Sequence, residues 1–245
     1  ISLDQNFKRP YFARSISDFW HRWHITLGTW MKDYVFYPFS LSKGMNRFSK
    51  YCKKNLGRHA GRVLPVCIAS LLVFFLVGVW HGATSNYILW GLYNGVILAL
   101  TALLEPRVKR MNERCPRLTG SRGFHVFRVL RTFIIVNIGW FFDRCATAGD
   151  AVRMMGSILT TPCLEQVSLV NLGLSPLDAR ILAAGVLLLF IVSLLGESGR
   201  DVRGWLAARA LPIRWAVMIG AAVVILLTGV WGSGFSEASF IYFNF

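Results

Sequence analysis

His81 is the residue of this chain best suited to chemistry. It stands in Val79-Trp80-His81-Gly82-Ala83, between an apolar run from Val63 to Trp80 and another from Tyr87 to Leu104. No Asp or Glu occurs from Tyr34 through Leu104. A charged side chain at membrane depth costs about 2.5–3.5 kcal/mol or more, so an ionisable residue there marks a functional site by default. Histidine has an ordinary pKa near 6.5, which suits proton transfer at neutral pH. Two further histidines, His21 and His24, are three residues apart. In one helix that spacing would put both on one face. A metal pair would need a third ligand, and Asp18 is the only close one, so no metal is assigned. The sequence has no Gly-x-Ser-x-Gly elbow, and the carboxylates nearest His81 are Asp33 and Glu105, so no Ser-His-Asp triad is visible. The pattern fits a lone histidine base acting on a hydroxyl, oriented by Asn86, Asn94 or a carbonyl from another helix. A buried histidine with no anion beside it is favoured in its neutral, proton-accepting form.

The elements that must position His81 read as membrane helices. The chain has 245 residues, is 54% hydrophobic and has mean hydropathy +0.48. Five apolar stretches are candidate spans: Val63–Trp80, Tyr87–Leu104, Phe124–Phe142, Ile181–Gly196 and Trp215–Trp231. About 20 helical residues cross a bilayer core of about 30 Å. The stretches are slightly short, and flanking Trp, Tyr and Arg extend them at the interfaces. A soluble helical core would need a polar face on each helix, and Ile181–Gly196 has none. The net charge of +15 would suggest nucleic acid in a soluble protein. Here the cations sit between spans, seven of them from Lys43 to Arg62 with no acid. The positive-inside rule puts the Lys43–Arg62, Glu105–Arg122 and Glu197–Arg214 loops in the cytoplasm, and the nearly balanced Asp143–Arg180 loop and the C-terminal tail outside. The basic cluster reads first as a topology determinant beside anionic headgroups, and second as a docking surface for an acidic acyl-donor partner. Cys52, Cys67, Cys115, Cys145 and Cys163 show no CxxC spacing and read as free thiols.

From Phe7 to Phe39 there are eleven aromatic residues and no stretch long enough to span. Ser15 and Ser17 are candidate N-caps, with Asp18 in the first turn. Phe19, Trp23, Ile25, Leu27 and Trp30 mark an amphipathic helix at the interface or lining a vestibule, with His21 and His24 inside it. Trp20, Trp23, Trp80 and Trp90 read as packing or interfacial anchors ahead of substrate platforms. The expected class is all-α: a polytopic membrane protein of about five transmembrane helices plus interfacial amphipathic helices.

Several blocks together resemble the membrane-bound O-acyltransferase family, in its bacterial cell-envelope branch. They are Asn6-Phe7-Lys8-Arg9-Pro10-Tyr11, Ser17-Asp18-Phe19-Trp20-His21-Arg22-Trp23-His24-Ile25-Thr26-Leu27, Lys32-Asp33-Tyr34, Gly78-Val79-Trp80-His81-Gly82-Ala83 with Trp90-Gly91-Leu92-Tyr93-Asn94-Gly95, Gly139-Trp140-Phe141-Phe142-Asp143-Arg144, and Phe240-Ile241-Tyr242-Phe243-Asn244-Phe245. They occur in family order and match the C-terminal half of a typical member. The resemblance implies that His81 is catalytic and that His24 is important for activity. His21 stands where relatives often carry Arg, and Asn244 where they commonly carry Gln or Arg, so neither receives a role. Trp80, Asn86 and Asn94 are the candidates for contacting substrate.

The implied activity carries an acyl group, acetyl ahead of D-alanyl, from a cytoplasmic thioester to a hydroxyl outside. The donor would be acyl-CoA or an acyl-carrier-protein thioester, with no bound cofactor. The acceptor would be an envelope polysaccharide such as alginate, a teichoic acid, or an extracytoplasmic acyltransferase acting as relay. The expected setting is a bacterial plasma membrane, with membrane lipid as partner and no nucleic acid. The alternative class is a transporter whose histidine relays protons, but paired Gly/Pro-broken helices in two halves are not evident.

The domain reading is the C-terminal part of one membrane domain. Residues 1–45 form interfacial helices, 63–104 the helix pair with the catalytic histidine, and 124–245 three further spans and the tail. Five spans do not readily enclose a polar tunnel. The 245 residues expressed alone are therefore expected to lack turnover beside the full gene product at equal membrane level; equal turnover would contradict that reading.

Overall fold

The structure is a computed structural model that describes residues 4–160 and 175–229. The closing block 240–245 with Asn244, Cys163, and the last two residues of the fifth expected span lie outside the described residues. All regular structure in the described residues is helical. Five helices are long and apolar enough to cross a membrane: Arg58–His81, Ser85–Arg114, Arg122–Arg144, Pro176–Glu197 and Leu211–Thr228. They fall on the five expected stretches, and four of them extend past both ends of the stretch, because polar and basic flanks continue the helices past their apolar cores. The chain is a membrane protein.

It divides into two compact units, Ile1–Pro162 and Cys163–Phe245. The first unit holds a short 3-10 turn at Pro10–Phe12, then α1 (Ile16–Trp20), α2 (Ile25–Met31), a π-helical segment (Lys32–Phe36), α3 (Tyr37–Ser40), α4 (Lys43–Leu56), α5 (Arg58–His81), α6 (Ser85–Arg114), α7 (Pro116–Thr119), α8 (Arg122–Arg144) and α9 (Ala148–Thr160). The second holds α10 (Pro176–Glu197), α11 (Val202–Ala207) and α12 (Leu211–Thr228). A capping box starts α10: Ser175 accepts from the Asp178 amide, and Asp178 accepts from the Ser175 amide.

The centre of the first unit is the antiparallel pair α5–α6, which makes the most extensive helix contact among the described residues. It is close because glycines face each other. A Cβ on Gly78 would lie 2.5 Å from the Tyr87 carbonyl oxygen, and one on Gly91 would overlap the Phe74 carbonyl oxygen. Small residues are what let backbones approach in lipid, where burial of apolar surface supplies little drive between helices. Helix α8 joins through the Tyr93 hydroxyl, which donates to the Ile135 carbonyl at 2.7 Å. Ala13, Ile16 and Phe19 pack with Val136 of α8, and Trp20, Trp23, Ile97 and Trp140 surround them. The continuous helical run from Ile25 to Ser40 lies along α5: Met31 is buried against Val77 and Trp90, with Leu27, Val35 and Val73 beside them.

Two expected irregular regions are helices. The basic stretch after Ser42 forms α4, capped by the Ser42 hydroxyl, which accepts from the Met45 amide. Its end turns at Gly57 (φ 94), a left-handed position that favours glycine. It then folds back on α5, with Gly61 against the Lys53 backbone and the Ser49 hydroxyl donating to the Gly61 carbonyl. The Asp143–Arg180 loop contains α9.

The aromatic segment also differs from the reading as one amphipathic helix. Ser15 caps α1, accepting from the Asp18 amide at 3.1 Å, but α1 stops at Trp20. His24, at φ 47 and ψ 50, breaks the helix in two and caps α2 in a left-handed conformation. His21 and His24 therefore do not share a helix face.

Gly91→Ala is expected to destabilise the protein by about 1–3 kcal/mol through overpacking. Gly156→Ala, whose Cβ meets nothing within 4 Å, should leave stability unchanged or slightly raised. Thermal unfolding in detergent compares them; equal behaviour would contradict the close α5–α6 approach. Cys52 is buried and so is a poor topology reporter, whereas Cys115 at the end of α6 is exposed. In intact cells Cys115 should resist an impermeant thiol reagent; ready labelling from outside would reverse the orientation.

Candidate active site

His24 is held by the chain that precedes it. The Asn6 carbonyl accepts from the Ile25 amide at 3.0 Å, and Asn6 Oδ1 accepts from the Thr26 amide and hydroxyl at 3.0 and 2.8 Å. The Lys8 amide donates to the Arg22 carbonyl at 2.8 Å. These bonds pin both sides of the left-handed residue, a conformation that a non-glycine residue keeps only when its surroundings impose it. Burial drives the Asp18 carboxyl pKa upward. The Arg14 amide and the Arg22 guanidinium outweigh it and hold the group below its ordinary value. Asp18 is thus committed to arginine, and His21 Nδ1 lies 2.6 Å from the Ser17 carbonyl. Neither is turned into a metal site with His24. Burial lowers the His24 pKa below its ordinary value.

His81 is the last residue of α5, at the turn into α6, rather than at mid-span. Its ring meets Trp80 at 4.8 Å and Trp90 at 5.0 Å, both edge-on, and stacks with Tyr87 at 6.2 Å. Nδ1 is buried and has no hydrogen-bond partner among the described residues. Trp90 is buried and also contacts Trp20 (5.9 Å) and Trp140 (6.2 Å). Trp140 meets Trp23 at 5.4 Å, and Trp23 meets His24 at 5.9 Å. An unbroken path of ring contacts therefore joins two histidines 57 residues apart.

The other expected site residues divide. Asn86, buried, donates through Nδ2 to the carbonyls of Phe142 (3.2 Å) and Cys145 (3.0 Å), tying the start of α6 to the end of α8. Its Oδ1 is buried with no partner among the described residues. Asn94 donates to the Trp90 carbonyl within its own helix, so it braces the residue that touches His81. Trp80 is 43% exposed and meets the His81 ring edge-on.

Asp143 and one ring neighbour of His81 are not singled out as site residues in the sequence. Tyr87 stacks on His81, one turn into the next helix. Half-buried Asp143, at the end of α8, is close enough to Tyr87 to act on it electrostatically. The Trp140–Arg144 block was the available signal.

The geometry can hold a neutral imidazole in an aromatic shell with buried polar atoms left open. Chains of similar sequence are acyltransferases by name. The chain is 34% identical over 157 residues to a probable alginate O-acetylase of Pseudomonas syringae, covering 64% of this chain and 25% of that one. It is 30% identical over 172 residues to a peptidoglycan O-acetyltransferase of Helicobacter pylori, covering 70% and 27%. It is 30% identical over 141 residues to a teichoic acid D-alanyltransferase of Bacillus subtilis, covering 58% and 32%. No family model matches. The chain belongs to the membrane-bound O-acyltransferase family. It spans about a quarter to a third of the length of these relatives.

Asn6→Ala removes two acceptor bonds and should destabilise the α1–α2 corner by about 0.5–1.5 kcal/mol for each. Faster hydrogen exchange at Ile25 and Thr26, with exchange in α6 unchanged, checks it; unchanged exchange at the corner would contradict the pinning. Because the folded pKa of His24 is depressed, its contribution to stability is fully present above the ordinary histidine value near 6.5. That contribution is lost as pH falls through the lower folded value. Exchange at the corner, corrected for intrinsic rates, should rise on acidification in wild type and rise less in His24→Phe; the same rise in both would contradict it.

Proposed function

We propose that this protein is a bacterial plasma-membrane O-acyltransferase. It moves an acyl group from a cytoplasmic thioester, of coenzyme A or an acyl-carrier protein, to a hydroxyl outside. The acceptor is an envelope polysaccharide or an extracytoplasmic acyltransferase that relays the group. His81 is the general base. The observation that carries the reading is His81 itself, a histidine in a shell of Trp80, Tyr87 and Trp90 at the end of α5 away from the basic cluster. That end faces outward under the positive-inside assignment, where a polymer hydroxyl would arrive.

With Nδ1 turned into the interior, Nε2 is the nitrogen that meets the hydroxyl. The acceptor O–H gives its proton to Nε2 as its oxygen bonds to the thioester carbonyl carbon. The tetrahedral oxyanion then re-forms the carbonyl, the C–S bond breaks, and the leaving thiolate takes the proton from the imidazolium. Asn86 Oδ1 supports the tautomer. Its amide is fixed by two carbonyls, and it is a buried acceptor five residues from His81, suited to a proton on Nδ1 directly or through one water. His24 supports the site from the far end of the ring path without taking the proton itself.

Acetyl is the favoured acyl group because two of the named relatives are O-acetyl transferring enzymes. D-alanyl is the second reading, on the B. subtilis relative. His81→Ala, made in the full gene product and matched for membrane level, is expected to lower polymer acylation on the order of 10²-fold or more. Cells fed labelled acetate or labelled D-alanine report both acyl groups in the same assay. Acylation within a factor of a few of wild type would overturn the assignment of His81.

A further inference from the structure

Four buried polar atoms without a hydrogen-bond partner among the described residues adjoin Trp90. They are His81 Nδ1, Asn86 Oδ1 and the indole nitrogens of Trp20 and Trp140. Trp20 and His81 touch the Trp90 ring at 5.9 and 5.0 Å, and Asn86 precedes Trp90 by one turn on the same helix face. Buried polar atoms are nearly always bonded, so four orphans around one side chain call for a reason. A base accounts for His81, and its tautomer accounts for Asn86. The Trp140 indole faces the Tyr11 hydroxyl, and none of these roles uses Trp20.

An indole nitrogen only donates. Trp20 cannot accept the acceptor's proton, so what it lacks is an oxygen with lone pairs. Its ring is not free to swing toward solvent. It is the last residue of α1, wedged edge-on against Phe74 of α5 (4.9 Å), Phe19 (5.3 Å) and Trp90 of α6. A fixed, buried donor in an aromatic shell, with no partner among the described residues, is the form that oxyanion stabilisation takes. The Asn86 amide hydrogens are spent on the Phe142 and Cys145 carbonyls, which leaves Trp20 as the donor of this shell without a role.

Resting on the acyltransferase reading above, we infer that Trp20 is a further catalytic residue: its indole N–H donates a hydrogen bond to the thioester carbonyl oxygen and strengthens it as that oxygen becomes the tetrahedral oxyanion. No bond to Trp20 forms or breaks. The negative charge appears on the oxygen when the acceptor adds and leaves it when the C–S bond breaks.

This role has a signature that packing lacks. Removing an unsatisfied buried donor relieves a cost in the resting protein, so it should not destabilise the fold, yet it should slow the reaction. Two replacements delete the N–H and keep an aromatic ring: Trp20→Phe, and site-specific incorporation of benzothienylalanine, which matches the shape of tryptophan with sulfur in place of N–H. Each is made in the full gene product. Initial rates of polymer acylation are read with labelled acetate and labelled D-alanine at matched membrane level, and the midpoint of thermal unfolding is read on purified protein. His81→Ala runs beside them.

The expected result is a rate lowered about 10²-fold in both, with the unfolding midpoint of the benzothienylalanine protein equal to or above wild type. If Trp20→Phe lowers the midpoint through lost volume, the benzothienylalanine protein decides. A wild-type rate in that protein overturns the role of Trp20 while leaving His81 in place, provided His81→Ala is slow. A fast His81→Ala overturns the assignment of His81 as the base, and a wild type that puts neither label on the polymer overturns the acyltransferase reading itself.

Discussion

Burial of the Trp90 ring is the constraint on which the rest of the first unit depends. Trp90 can sit between α5 and α6 only because its neighbour Gly91 lets the backbone of α6 reach that of α5 at Phe74 and Gly78. Once seated, its ring presents contact faces to three other elements: His81 at the end of α5, Trp20 at the end of α1 and Trp140 near the end of α8. Edge-on and stacked aromatic pairs add about 0.5–1.5 kcal/mol each beyond area burial, and they have preferred geometries. The same contacts that hold the helices together therefore fix the direction of the imidazole. Asn94, bonded to the Trp90 carbonyl, and Asn86, bonded to the end of α8, tie the polar atoms of α6 into this arrangement.

The amino-terminal aromatic segment brings the second histidine to this centre. A helix continuing through residues 20–25 would carry His24 past the site. The break at His24 turns the chain instead, and Asn6 with Lys8 closes the turn from outside. The run from Ile25 to Ser40 then travels along α5 toward its basic end. A π-helical segment at Lys32–Phe36 lies on that path, and such segments recur at functional sites in helical proteins. The order of the blocks along the sequence thus becomes an arrangement in space. The Asn6 block holds the His24 block, which leans on Trp140 of the Gly139–Arg144 block and on Trp90.

The spans were legible because lipid imposes a long apolar run, and all five runs became helices. Their ends were not, since Arg58–Arg62 and Glu105–Arg114 are polar residues that continue a helix already begun by its apolar core. Lys43–Leu56 and Ala148–Thr160 are short helices whose reason is packing on a neighbour. The break at His24 was hidden as well: the apolar spacing of Phe19, Trp23, Leu27 and Trp30 mimics one continuous helix, while the residue that overrides it, Asn6, lies eighteen positions earlier. His81 was legible from its block and its acid-free surroundings. The approach of Trp140 to the Trp90 ring and of Asp143 to Tyr87 was not legible, because it depends on α8 packing against α6.

The central claim is that His81 accepts a proton, rather than merely holding a hydrogen bond in an aromatic shell. His81→Gln separates the two, since an amide can bond to a hydroxyl but has no basicity at neutral pH. The decisive measurement is the rate of acyl transfer to the envelope polymer by His81→Gln in the full gene product, at wild-type membrane level. The account predicts a rate as low as that of a protein with no side chain there. A rate close to wild type would contradict it and reduce His81 to a positioning group.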